Sequence, residues 1–257
     1  MKEPLCEIFD VNEQSISEIG IFCIKDKKSP GYIAKLDWFK SQFELGLRMK
    51  IAINNMGKQL GFIEYVPIEN AWRPVKGKGY YFIQCIAVFV KDAKESGVGS
   101  MLIKSCENDA KAEGKTGICA MASEGVWMAN KKIYLNNEYE VVDKLGRFEL
   151  LHKSLKKNLE PPQFIDWSIA QTKYVGWNLV YSNQCPWHDK SINDLSLSAK
   201  EHGIKLNVTK IMNAKEAQLA PSGFGTFSLI KDGRLLEDHY LSKTRFENIL
   251  KKELSTN

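Results

Sequence analysis

Three groups of residues have types and spacings that could do chemistry. The first is Lys94-x-x-Gly97-x-Gly99, which follows the strand-like run Ile83-Gln-Cys-Ile86-Ala87-Val88-Phe89-Val90 and opens a helical pattern. A helix start carries unpaired N–H groups and a partial positive charge, and glycines let an anion approach the backbone closely. The turn Lys94, Glu95, Ser96, Gly97, Val98, Gly99 and Ser100 therefore reads as a phosphate or pyrophosphate cradle. Neither the G-x-G-x-x-G of dinucleotide sites nor the G-x-x-x-x-G-K-[ST] of triphosphate loops is present. The bland alternative is turn chemistry alone. The second group is Ala71-Trp72-Arg73-Pro74, where Arg73 could clamp a carboxylate with Trp72 beside it, or could be a surface arginine in a proline-bounded loop. The third is Cys185-Pro-Trp-His188, a cysteine just before a helical pattern, where the helix start should favour the thiolate.

The elements that must position these groups follow from periodicity. Strands are expected over residues 4–12, 48–57, 59–67, 83–90, 116–122, 139–143 and 147–151, with helices over 32–45, from Gly99 to about Gly114, and over 128–136. The apolar run Cys85–Val90 reads as a buried core strand. Lys153 to Gln163, charged and ending in Pro161-Pro162, reads as a boundary. Beyond it strands at 177–181, 204–211, 225–230 and 234–241 alternate with helices from about 192 to Gly203, at 214–219 and at 244–254, a second small α/β unit. The domains expected are therefore 1–158 and 159–257.

The whole-chain numbers suit that picture. At 257 residues there is room for two cores, and 44% hydrophobic with 26% charged is the composition of a globular protein. A balance of 36 basic against 31 acidic residues, net +5, suits an anionic small ligand, and no basic stripe with interleaved aromatics points to nucleic acid. No run approaches the ~20 apolar residues of a membrane helix. The start is unlike a signal peptide, and the six scattered cysteines without a C-x-x-C pair suggest free thiols in a reducing cytoplasm and no zinc site.

The Lys94-x-x-Gly97-x-Gly99 turn resembles the [R/Q]-x-x-G-x-[G/A] signature of the GNAT N-acetyltransferases, with Lys94 where that family usually has Arg or Gln. A second stretch, Trp127-Met-Ala-Asn130-Lys-Lys-Ile133-Tyr134-Leu-Asn-Asn-Glu138-Tyr139, is similar to the family's N-x-x-A-x-x-[LI]-Y-x-x-x-G-F, with Glu138 in place of the glycine. The resemblance implies an α/β (α+β) fold with a mixed, largely antiparallel sheet, and acetyl-CoA as co-substrate without a metal. It further implies pyrophosphate in the Lys94–Ser100 turn, pantetheine against the preceding strand residues Ile86, Ala87, Val88 and Phe89, a cofactor contact from Asn130, and Tyr134 as proton donor to the departing thiolate. The last segment, with Cys185-Pro-Trp-His188 and Gly225-Thr-Phe, resembles a thioredoxin-like domain, and the combination looks like the YoaP-like acetyltransferases. His188 stands where a resolving cysteine would be, and Gly225 where such domains carry proline, so dithiol cycling is not expected.

Direct acetyl transfer to an amine needs a base. No histidine precedes His152, and the strand expected over 83–90 offers Gln84 near where some family members have Glu. Glu64 is the remaining candidate base, on a strand face expected to be polar there, with a solvated surface glutamate as the alternative. The expected reaction moves an acetyl group to a primary amine of a small molecule or peptide. Trp72, Arg73 and Cys185 are candidate substrate contacts, in a cytoplasmic monomer or homodimer. The other readings are a CoA-binding regulatory protein without turnover and a monothiol thiol-binding module.

Overall fold

Strand-forming residues alternate with helical patterns through the chain, and the computed structural model, which describes residues 6–89, 97–125, 127–157 and 159–255, turns them into two sheets and a small ribbon. The chain divides into two units. The first takes Met1–Lys25, Phe39–Ala71 and Val75–Phe164; the second takes Asp26–Trp38, Trp72–Pro74 and Ile165–Asn257.

In the first unit, β1 (Glu7–Val11) leads into α1 (Glu13–Ile19), whose start is closed by a capping box between Asn12 and Ser15. After α2 (Pro30–Phe43), which supplies residues to both units, come β2 (Arg48–Ile53), β3 (Gln59–Pro67) and the short β4 (Val75–Lys76). β5 (Tyr80–Val88), α3 (Val98–Ala112), β6 (Gly117–Ser123) and α4 (Lys132–Leu135) follow. The unit closes with β7 (Glu140–Leu145), β8 (Phe148–Ser154) and β9 (Gln163–Phe164), which pairs with β4. The seven-stranded sheet has the order β1-β2-β3-β5-β6-β8-β7, antiparallel throughout except for the parallel pair β5–β6. A strand crossing to a parallel neighbour needs a helix between, and α3 is that helix.

α3 buries Val98, Leu102, Ile103, Cys106 and Ala110 against the sheet, the spacing of one helix face. Its later turns are tied down by sheet hydroxyls and an amine. The Tyr65 hydroxyl donates to the Asp109 carboxylate, Lys50 Nζ lies 3.0 Å from Asp109 and 2.6 Å from Asp10, and the Tyr81 hydroxyl donates to Glu113 at 2.5 Å. At the other end of α3, next to Gly97, it is the buried Val98, Leu102 and Ile103 that seat the helix on the sheet.

In the second unit, α5 (Ser168–Gln171) precedes β10 (Trp177–Tyr181), α6 (Trp187–Glu201), β11 (Leu206–Lys210) and α7 (Ala214–Gln218). β12 (Phe227–Lys231), β13 (Arg234–Glu237) and α8 (Lys243–Leu254) complete it. Its sheet runs β11-β10-β12-β13, with β10–β11 parallel and the other pairs antiparallel. Among the described residues no helix is long and apolar enough to cross a membrane, and no cluster of ligating side chains could hold a metal.

Two expectations from the sequence change here. The helix expected over 128–136 is a single turn, Lys132–Leu135. The apolar run after Cys85 is not the buried part of its strand: Tyr80–Gln84 are buried, Cys85–Val88 only half-buried, and Phe89 is 46% exposed. The reason lies in the strand pairing around Gln84.

Candidate functional site

β3 and β5 pair in one register as far as Glu64 opposite Cys85, and resume with Tyr65 opposite Ile83. Gln84 is thus an extra residue, a β-bulge, which bends a strand and increases its twist. On its other side β5 pairs with β6 only from Tyr80 opposite Gly117 to Ile83 opposite Ala120. β6 continues to Ser123 against β8, while Cys85–Val88 keep β3 alone as partner. The two parallel strands part at the bulge. Past it, no strand among the described residues pairs with the β6-facing side of β5, an edge that suits an extended ligand with amides of its own.

The start of α3 stands beside this gap. Gly97 caps the helix with φ +91 and ψ −4, a left-handed backbone that glycine adopts without cost. Gly99 is required for a different reason. A Cβ there would lie 2.6 Å from Ile133 Cδ1 and 3.9 Å from Val88 Cγ2, so the glycine lets the first turn of α3 close against α4 and β5. Ser100 Oγ accepts a hydrogen bond from Asn137 Nδ2 at 3.0 Å, which binds the same turn to the end of α4. Val88 at the end of β5 and Gly97, Val98, Gly99 and Ser100 at the start of α3 thus lie around one corner. Lys94, Glu95 and Ser96 lie outside the described residues. Phe89 packs its ring on Phe62 at 5.6 Å. Asn130 is exposed, and its side chain accepts from the Lys132 amide at 2.9 Å.

Tyr134 sits on α4, 2% exposed, with its ring 5.7 Å from that of Tyr139. Burial first, then the nearby Cys85 and Cys106 side chains, push its hydroxyl well above the ordinary tyrosine value. The hydroxyl keeps its proton at neutral pH, which makes it a donor and not a base. Glu64 is 1% exposed, inside a strand whose residues Leu60 to Val66 are all buried, so both the polar strand face and the solvated surface glutamate are corrected. β3 lies inside the sheet, paired with β2 on one side and with β5 on the other. Glu138, which stands in place of the motif's glycine, occupies a left-handed backbone at φ +65 and bonds Lys153 at 2.9 Å.

The second unit gathers Trp72, Arg73 and Cys185. Arg73 is 5% exposed, not on the surface: Nη1 donates to the Trp72 carbonyl at 3.1 Å and to Thr226 Oγ1 at 3.2 Å, and the guanidinium lies 4.7 Å from the Phe224 ring centre. Trp72 meets Trp38 edge to face at 5.4 Å, and the ammonium of Lys35, 1% exposed, lies over Trp38 at 4.1 Å. Close approach holds these pieces together: a Cβ on Gly31 would lie 2.2 Å from the Pro186 carbonyl oxygen, and one on Gly225 2.8 Å from that of Trp72. Half-buried Cys185 precedes the N-cap Pro186 of α6, and its carbonyl accepts from the His188 amide at 3.2 Å. The sequence reading omitted Lys35, Thr226 and Asn137 as site neighbours. Lys35 at three residues before Trp38 on a helix was the one local signal for its pairing.

Comparison with known proteins bears on both units. A family profile described as YoaP-like matches residues 205–248. A protein of Bacillus subtilis (strain 168), described as "Uncharacterized N-acetyltransferase YoaP", is 26% identical over 252 residues, covering 96% of this chain and 98% of that protein. The likeness is to YoaP-like N-acetyltransferases. Among solved structures, yncA from Salmonella typhimurium with its cofactor acetyl-CoA is 16% identical with a TM-score of 0.45, covering 62% of this chain and 98% of that one. The GNAT-family N-acetyltransferase YhbS of Escherichia coli in complex with CoA is 12% identical with a TM-score of 0.42, covering 64% of this chain and 93% of the other.

Proposed function

We propose that this chain is an acetyl-CoA-dependent N-acetyltransferase of the GNAT type, acting on a primary amine of a small molecule or peptide. Residues 1–158 would form the acetyltransferase domain and 159–257 a thioredoxin-like, YoaP-like domain. The observation that carries the reading is the parting of β5 from β6 at Gln84, directly beside a helix start at Gly97 and Gly99. The similarity to a YoaP N-acetyltransferase along nearly the whole chain supports it.

In this reading the amides after Gly97 face the pyrophosphate, and the half-covered Ile86–Val88 backbone takes the pantetheine amides. The thioester then points toward the bulge. Catalysis needs an amine that attacks neutral, a polarised carbonyl and a proton for the leaving thiolate. Tyr134, protonated at neutral pH and close enough to Cys85 for the two to interact, supplies the thiolate's proton. Gln84 cannot serve as base; Glu64, which pairs with Cys85 one step from the bulge, is the proposed base. Trp72, Arg73 and Cys185 are proposed substrate contacts.

The parallel β10–β11 pair, the antiparallel β12–β13 hairpin and Cys185 just before α6 support the thioredoxin-like reading of the second domain. A buried histidine three residues after that cysteine favours a binding role over thiol exchange.

The test is calorimetric titration with acetyl-CoA followed by release of free CoA with a panel of amines. Saturable binding and amine-dependent release support the proposal. Binding without release from any amine favours a CoA-binding regulator, and no binding removes both.

A further inference from the structure

β11 is an outer strand of the second unit's sheet: it pairs with β10 on one side, and among the described residues no strand pairs with its other side. Asn207 through Lys210 are exposed, Val208 at 42%. The Ile211 amide donates to the Tyr181 carbonyl at 2.7 Å, so Ile211 faces β10. Successive residues of a strand turn their N–H and C=O groups to opposite sides, so Asn207 and Thr209 also face β10, while Leu206, Val208 and Lys210 turn theirs outward. Three donors and three acceptors thus line one open edge, the arrangement to which an extended chain adds as a further strand.

An open cavity of about 420 Å³ lies beside this edge, between α6 and β11. Its apolar wall is Ala199, Ile204 and Leu206, and Lys200 and Lys205 stand at it. Leu206, Val208 and Lys210 share one face of the strand, so every second side chain of an added strand would lie over the side of the sheet where the cavity is. Charge selects the occupant. Lys200, Lys205 and Lys210 are exposed, and among the described residues none of the three ammonium groups has an ion-pair or hydrogen-bond partner. The adjacent acidic residue, Glu201, is engaged by Lys243 at 2.8 Å. Three uncompensated positive charges attract an acidic segment. They also disfavour β11 of a second copy, whose antiparallel pairing would set Lys205 of one strand near Lys210 of the other.

We propose that β11 is a docking edge for an acidic, extended segment of a partner protein, which adds as an outer strand and lays its apolar side chains beside Leu206 and Val208. The edge uses none of the residues assigned to acetyl transfer.

The test is amide NMR of the nitrogen-labelled full-length protein titrated with three capped peptides about as long as β11. The first alternates glutamate and valine, the second has lysine in place of glutamate, and the third is the glutamate peptide N-methylated at every amide. The Leu206, Val208 and Lys210 signals are expected to move saturably with the first peptide, which should bind at least about tenfold more tightly than either of the others. Lys205→Glu combined with Lys210→Glu is expected to reverse the order of the two charged peptides. Val208→Pro removes an outward donor without touching the ladder to β10, and is expected to weaken the glutamate peptide about tenfold or more while signals of the first unit stay in place. No movement of the three signals, or equal binding of the two charged peptides, overturns the proposal. Broadening of the same signals that grows with protein concentration in the absence of peptide means that a second copy of this chain occupies the edge, and overturns it too. If Val208→Pro does not fold, the three peptides on the parent protein decide.

Discussion

Gly99 on α3 and Ile133 on α4 are in contact through the missing side chain of the glycine: a Cβ would sit 2.6 Å from Ile133 Cδ1. The glycine that the sequence offered for close approach of a phosphate is also the residue that seats the Tyr134 turn against the helix start. Gly99→Val is expected to destabilise the protein by about 1–3 kcal/mol through overpacking. Urea denaturation of Gly99→Val, Ile133→Ala and the double variant checks this. A double variant less destabilised than the sum of the singles is expected, and strict additivity would mean the two do not touch.

Among the described residues no atom would lie within 4 Å of a Cβ on Gly97, so its requirement there is conformational. Gly97→Ala is expected to cost about 1–2 kcal/mol of left-handed strain. No compensating substitution at Ile133 should recover it, which separates the two glycines in the same denaturation assay.

Tyr134→Phe keeps the ring in its pocket and removes the proton donor. Turnover is expected to fall on the order of 100-fold with acetyl-CoA binding nearly unchanged, since general acid catalysis contributes roughly that much. Steady-state kinetics with calorimetry on the same variant checks it; an unchanged kcat removes the assigned role.

Glu138 adopts φ +65 and is joined to Lys153 by a pair whose glutamate side chain is 85% exposed. An exposed ion pair contributes little, while the left-handed backbone strains any residue with a Cβ. Glu138→Gly is expected to raise stability by about 0.5–1 kcal/mol, read as a higher thermal midpoint.

Burial, with the neighbouring Arg73 and Lys35 charges and against the Ser182 bond, holds His188 down at about 4 from an ordinary 6.5. Between those values the unfolded chain binds the proton and the folded one does not, so stability rises with pH through that window. The contribution is complete above about 6.5 and is lost as pH falls toward 4, on the order of 3 kcal/mol in all. Denaturation midpoints from pH 4 to 7 should show this slope, and His188→Asn should flatten it.

Much of the fold was legible because it is local. The α3 face repeats at helical spacing from Val98 to Ala110, and Gly114 and Gly203 mark helix ends with positive φ. Most of the second unit's elements fall near expectation because glycines and prolines punctuate them, but α6 already begins at Trp187 and β13 ends at Glu237, short of the expected Leu241. What was not legible is relational. A bulge at Gln84 exists only in the register of β3 against β5, and no residue type there announces it. The burial of Arg73 and Lys35 depends on residues 26–38 and 72–74 joining residues 165–257, a distance in sequence that no periodicity spans. α1 escaped notice because its seven residues bury only Ile16 and its cap uses Ser15 where a glutamate is the usual sign.

Amide hydrogen exchange at Ile86, Ala87 and Val88 tests most directly whether the parted strand receives the thioester arm. Exchange at these amides is expected to slow on adding saturating acetyl-CoA, together with the amides that follow Gly97, while β2 and β7 stay unchanged. Acetyl-CoA that binds without slowing any of the three would contradict the assignment.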